Sequence, residues 1–310
     1  MPTNALDSIL YRELSKVSAR EIISIASPLL QELVNYATNA LARCANAKNR
    51  KVDEDLAILV LYRHIIELTD GIEVLVSESS PVPAIPLVRS SFEALLAMEY
   101  ILENGQEYER RSLSWLVGYV HKRLDLYDRL DPSTQKGREF KKDFDNDKTI
   151  SNVQLPPIVD VQKAKANLQN MLSKPHIQPI EAEFGRYRGT PNWYHLFGGP
   201  NNLEHLARHL KRGGQYAILY RSWSTLAHAQ DASTFIDRTD QGESAIRRIR
   251  EPETIKEIAS NAATSILAAT RLILGKLRSG EDLKPWYIRE VRERFLTISR
   301  GIIKSEDTVI

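Results

Sequence analysis

"REIISIASPLLQELVNYATNALARCAN" (residues 20–46) decides the fold class. Ile22, Ile25, Leu29, Leu33, Tyr36, Ala37 and Leu41 recur at steps of three and four. That is the spacing at which an α-helix returns to one face. The same period continues from Asp53, read as a helix cap, through Leu56, Leu59, Leu61, Ile65, Leu68 and Ile72. "SSPVPAIP" (79–86) breaks the pattern with three prolines, which leave no room for a helix interior. A third helix then runs to Asn104, and a fourth spans "EYERRSLSWLVGYVHKRLDLYDRL" (107–130) before Asp131-Pro132.

Beyond Pro132 the pattern thins. "KGREFKKDFDNDKTISNVQLPP" (136–157) is highly charged and then proline-bearing, so residues 131–180 read as a charged, irregular excursion with one short helix near 160–173. "RGTPNWYHLFGGPNN" (188–202) is an irregular, aromatic-rich connection. A helix over 201–212, a break at Gly213-Gly214 and a further helix over "QYAILYRSWSTLAHAQD" (215–231) follow. "TFIDRTDQGESAIRRI" (234–249) fits a short β-hairpin around Gln241-Gly242. A long helix from Pro252 to Arg278 opens on proline and closes on Lys276, Arg278 and Gly280. The last helix covers Tyr287–Ser299, and the tail "KSEDTVI" should fray. The expectation is an all-α multi-helix bundle. Its N-terminal half (1–130) and C-terminal half (181–300) pack as one domain, flanked by the excursion (131–180) and a flexible tail (301–310).

Composition sets the broad class. With 42% hydrophobic and 26% charged residues the 310-residue chain is ordinary and globular. A balance of 42 basic to 40 acidic residues gives no overall field toward nucleic acid or membrane. The single cysteine, Cys44, allows no internal disulfide and fits a reducing cytoplasm. The opening residues carry no basic start before an apolar run, and Arg89, Glu93 and Glu99 interrupt the greasiest segment, 81–102. Neither a signal peptide nor a membrane association is expected.

Two polar motifs lie on these greasy helices. In "LVRSSFEALLAMEYIL" (87–102), Arg89 and Glu93 are four residues apart and share a face. Arginine before glutamate is the weaker order for helix stability, so the pair is better explained as part of a site or as a specificity device. On a regular α-helix Tyr220, Ser224 and His228 climb one side at successive four-residue steps, with Arg221 two turns before His228. Ser224 can then fix which ring nitrogen of His228 carries the proton. An alternative is a closed seam in which each polar group is satisfied by a neighbouring helix. His205 and His209 have a spacing that can hold zinc, but Leu203, Leu206, Ala207 and Leu210 form the apolar stripe and leave both imidazoles on the wet side. No metal or cofactor is expected.

Taken in order, "LVRSSFEALLAMEYIL", "NWYHLFGG", "LEHLARHL" and "YRSWSTLAH" resemble domain-of-unknown-function family 5677, an all-helical prokaryotic group. Its Arg-Ser-x-x-Glu motif corresponds to Arg89, Ser90 and Glu93, its Tyr-x-x-x-Ser-x-x-x-His motif to Tyr220, Ser224 and His228, and Trp193-Tyr194 fit the segment between. The resemblance covers roughly residues 25–278 and implies a paired-motif site, but no activity. The six-residue gap between Arg221 and His228 is also similar to the Arg-x(4–6)-His motif of the HEPN superfamily, although Ser222 departs from its usual pattern. That second resemblance implies a metal-independent endoribonuclease, acting as a dimer in toxin or phage-defence systems, with His228 as acid or base and Arg221 on the phosphate. The partners it implies are RNA, a second copy of the chain, and an antitoxin or other partner protein. The competing function is a non-catalytic module that binds a partner protein or small ligand, with Arg89, Glu93, Tyr220, Ser224 and His228 closed into a buried network.

Overall fold

The computed structural model describes residues 12–48, 50–150, 161–222, 236–238, 242, 244–246, 249–250 and 252–300. In chain order, α1 (Arg12–Ser18), α2 (Arg20–Ala45), α3 (Val52–Ser77) and α4 (Ile85–Leu102) come first. Then follow α5 (Tyr108–Leu130), α6 (Gln135–Asn146), α7 (Val161–Leu172) and α8 (Gln178–Phe184), and a 3-10 segment, Trp193–Gly198. The chain continues with α9 (Leu203–His209), α10 (Gly213–Gln215) and a π-helical stretch, Tyr216–Ser222. Strands β1 (Ile236–Arg238) and β2 (Ser244–Ile246) precede α11 (Ile255–Leu277), α12 (Lys284–Trp286) and α13 (Arg292–Ser299). The fold is an all-α multi-helix architecture with one short antiparallel hairpin, in which Ile236 pairs with Ile246 and Arg238 with Ser244. Gly242, between the two strands in sequence, has φ 80°, a left-handed conformation that glycine adopts without steric cost.

The residues form two compact units. One holds the chain up to residue 105 together with everything from 203 onward; the other holds 106–202. In the first, α3 packs on both α2 and α4, and all three pack on α11. Leu29, Leu30 and Leu33 of α2, Ile58, Ile65 and Ile72 of α3, and Phe92, Leu95 and Leu96 of α4 are all buried. Each such side chain contributes roughly 1.5–3 kcal/mol on burial. Helix α11 is buried on nearly every side, and its alanines 259, 262, 263 and 269 are fully covered. By length and composition the helical run Pro252–Leu277 could cross a membrane, but 67% of its apolar window lies inside the unit. Burial within the helical core accounts for that apolarity.

Two polar contacts fix the register of this core. Glu73 accepts hydrogen bonds from Ser27 Oγ at 2.5 Å and Gln31 Nε2 at 2.8 Å. Tyr62 Oη and Thr270 Oγ1, both buried, are bonded at 2.8 Å. Trp286 stacks on Tyr36 with ring centroids 3.8 Å apart and donates its indole N–H to Glu32 at 2.8 Å, which holds α12 against α2.

In the second unit α6, α7 and α8 each pack on α5. The sequence reading gave residues 131–180 one helix, and α7 matches it; α6 and α8 are additional. Helix α6 shows only Phe140 and Phe144 as large apolar residues, too few to display a period, and α8 is short and opens on Pro179. Local chemistry sets α6: Thr134 Oγ1 caps it by accepting the Gly137 N–H at 2.9 Å. Gly137 is obligatory, because a Cβ there would lie 1.8 Å from the Asp131 carbonyl oxygen.

Asp131 ties this charged segment together. Its carboxylate is buried and accepts from the Ser133 N–H at 3.0 Å, Ser133 Oγ at 2.6 Å, Gln162 Nε2 at 2.6 Å and Lys165 Nζ at 3.2 Å. The hydrogen bonds from Ser133, with those from Lys165 and Gln162, hold its carboxyl well below the ordinary carboxylate range. A carboxyl depressed in the folded state contributes stability that is complete at neutral pH. That stability fades as acid takes the pH below its unfolded value, about 4, and through the lower folded one. Asp131→Ala is therefore expected to free α7: hydrogen exchange over Val161–Leu172 should rise by about tenfold or more, with α2, α3 and α4 unchanged. Unaltered protection of α7 would contradict this.

Candidate functional site

Helix α4 carries the first motif. Arg89 and Glu93 sit one turn apart, both half-buried, and neither lacks a partner. Ser91 and Phe92 beside them are buried, so this polar face adjoins the core. Further along, Glu99 and Glu103 continue the polar side of α4 and receive the chain where it returns from the second unit.

That return is built residue by residue. Helix α9 ends with Lys211 in the left-handed region at φ 59° and the Arg212 N–H bonded to the Ala207 carbonyl at 2.7 Å. This six-to-one bond around a left-handed residue is a helix-terminating motif that usually uses glycine. The sequence reading placed the break at Gly213-Gly214; the reversal instead occurs at Lys211, and Gly213 opens α10. Gly213 suits that place because an added Cβ would come 3.3 Å from Arg208 Cγ.

The reversal aims Arg212 at α4. Its guanidinium grips the Glu99 carboxylate from two nitrogens, Nε at 3.2 Å and a closer Nη2, while Nη1 reaches Gln215 Oε1 at 3.2 Å. The two side chains are only 24% and 16% exposed, so solvent screens this fork less than a surface pair. Beside it, His209 Nε2 bonds Glu103 at 2.8 Å, and its ring meets Tyr100 edge-on at 5.6 Å. His205 and His209 are both exposed. No group of three or more histidine, cysteine, aspartate or glutamate side chains among the described residues is placed to hold a metal ion.

The second motif begins on this anchor. Tyr220 and Arg221 fall within the π-helical stretch Tyr216–Ser222. There, backbone hydrogen bonds span five residues instead of the four of an α-helix. Short π segments recur at functional sites because they re-aim side chains that an α-helix would align. Ser224 and His228 lie outside the described residues.

Trp193 and Tyr194 belong to the second unit, with rings edge-to-face at 5.4 Å. The backbone of α5 admits them at Gly118, where an added Cβ would touch Trp193 Cβ at 3.0 Å. Arg89 and Glu93, like Tyr220 and Arg221, belong to the first unit. The sequence reading missed Arg212 and the part that Glu99 plays. Glu99 was visible only as an acidic interruption of an apolar helix, and nothing in the spacing connected it with a residue 113 positions away.

The anchor gives a test with a distinctive sign. Arg212→Met should cost about 1–3 kcal/mol in urea unfolding, because the half-buried Glu99 loses its charged donor. Adding Glu99→Leu should recover part of that loss, since no unpaired carboxylate then remains. Strict additivity of the two substitutions would show that the fork carries no coupling.

Neither curated proteins nor solved structures give a match to this chain. A family of unknown function, DUF5677, matches residues 55–244. That span runs from the first turn of α3 through both polar motifs to the hairpin and leaves out α2 and α11. Since it covers more than half of the 310 residues, the chain belongs to the DUF5677 family.

Proposed function

We propose that this protein is a metal-independent endoribonuclease of the HEPN kind, working in the cytoplasm as a toxin or phage-defence effector. In that chemistry the ribose 2′-hydroxyl attacks the adjacent phosphorus, a P–O2′ bond forms and the P–O5′ bond breaks. His228 takes the 2′ proton or returns one to the departing 5′-oxygen, and Arg221 offsets the charge that builds on the phosphate. Tyr220 and Ser224 orient the imidazole and the scissile phosphate. The observation that most supports this reading is the anchored π-helical turn. A rare backbone form carries Tyr220 and Arg221 directly after a two-pronged ion pair to the helix that bears Arg89 and Glu93. Homodimerisation, and control by an antitoxin or other partner protein, complete the proposal.

One observation favours the alternative of a binding module. Arg89 and Glu93 are half-buried and already engaged, as a closed polar network requires. Induction of the protein in a bacterial host separates the two. The nuclease reading expects arrested growth with discrete RNA fragments, both abolished by His228→Ala or Arg221→Ala in variants that remain folded. Loss of catalysis should amount to about 10²-fold or more for either residue. Intact RNA and normal growth in all strains would favour the binding module.

A further inference from the structure

The second unit presents an aromatic surface that the proposed chemistry does not use. From Phe184 to Leu203 the chain contains five aromatic residues, Arg186 and Arg188, and no aspartate or glutamate. Interleaved aromatic and basic residues are the composition of surfaces that stack unpaired bases while tracking a phosphate backbone.

The local structure is built to hold this segment in a costly shape. Phe197 has φ 57° and ψ 34°, left-handed backbone that a bulky residue rarely adopts, at a cost of about 1–3 kcal/mol. Buried Glu183 enforces it by accepting the Phe197 N–H at 3.1 Å; the same carboxylate takes Arg186 Nη1 at 2.7 Å. Leu196 is buried, yet Phe197 is 37% exposed. Above that ring lies the Arg110 guanidinium, 4.7 Å from its centroid. The molecule thus spends backbone strain on keeping a phenylalanine at the surface. Neighbouring Tyr187, Trp193, Tyr194 and His195 are half-exposed.

We propose that Phe197, with Arg110 over one face of its ring, offers the other face as a stacking platform for an unpaired base of a single-stranded nucleic acid, whose phosphates meet Arg188. The acidic groups at hand are already committed, Glu183 to Arg186 and the loop and Glu107 to Arg110. Those pairs balance Arg186 and Arg110, so of the three arginines it is exposed Arg188 that carries the surplus positive charge. This inference concerns binding alone and does not depend on His228 or on cleavage.

Phe197→Gly is the informative variant, because glycine relieves the left-handed strain while removing the ring. With a fluorescent twelve-nucleotide single-stranded RNA, the variant is expected to bind about tenfold more weakly than wild type while melting at the same or a higher temperature. Phe197→Trp should retain affinity, and Arg110→Gln should lose part of it. A single-stranded DNA of the same sequence identifies the natural source: equal competition assigns the platform to unpaired bases in general, and weaker competition assigns it to RNA. Unchanged affinity in Phe197→Gly, equal binding of duplex RNA, or no binding by the wild type overturns the proposal. RNA bound by Phe197 but never cleaved would sink the nuclease reading and leave the platform standing.

Discussion

The structure depends on α11 filling the space among α2, α3 and α4. Its four covered alanines let these helices approach closely, and their isoleucine and leucine side chains interlock where larger residues on α11 would hold them apart. This helix lies more than 150 residues beyond α4 in the chain. The bundle therefore closes only once the C-terminal part has been made, and α4 has no complete core to rest on before then. The matched family region omits both α2 and α11, so the two motifs sit on a scaffold that the region alone does not contain.

From that constraint the candidate site follows in steps. A rigid α4 presents Glu99 and Glu103 at its far end, and the left-handed Lys211 turns Arg212 into reach of the first. The π-helical turn with Tyr220 and Arg221 then starts from a fixed point on the helix that holds Arg89 and Glu93. Sub-ångström placement of catalytic groups needs a support of this kind, since a loosely tethered helix would lose it.

The long helices were legible because each buries a broad stripe at a regular period; α2, α3, α4, α5 and α11 all fall close to where the periodicity puts them, and α7, which buries no residue, lies at the short helix expected near 160–173. Helix α6 was hidden because its stability comes from a threonine cap, a glycine pressed against a carbonyl and ion pairs, none of which leaves an apolar repeat. The reversal at Lys211 was hidden for a related reason: glycine marks such turns by preference, and here a lysine takes the place while two glycines stand nearby. Of the site, the sequence showed which side chains lie on greasy helices. It could not show the Glu99–Arg212 fork, which is a long-range contact, nor the π register, which spacing alone cannot distinguish from an α-helix. The strained backbone at Phe197 carries no sequence signature either, since phenylalanine is an unfavourable choice there.

Both proposals, the one for the anchored motif helix and the one for the strained aromatic loop, describe contact with single-stranded RNA. Ultraviolet crosslinking of the intact chain to such an RNA, followed by mass spectrometry of the linked peptides, tests that description most directly. Crosslinks concentrated in residues 184–203 and 215–231 are predicted. Crosslinks scattered over other surfaces, or none above background, would contradict it.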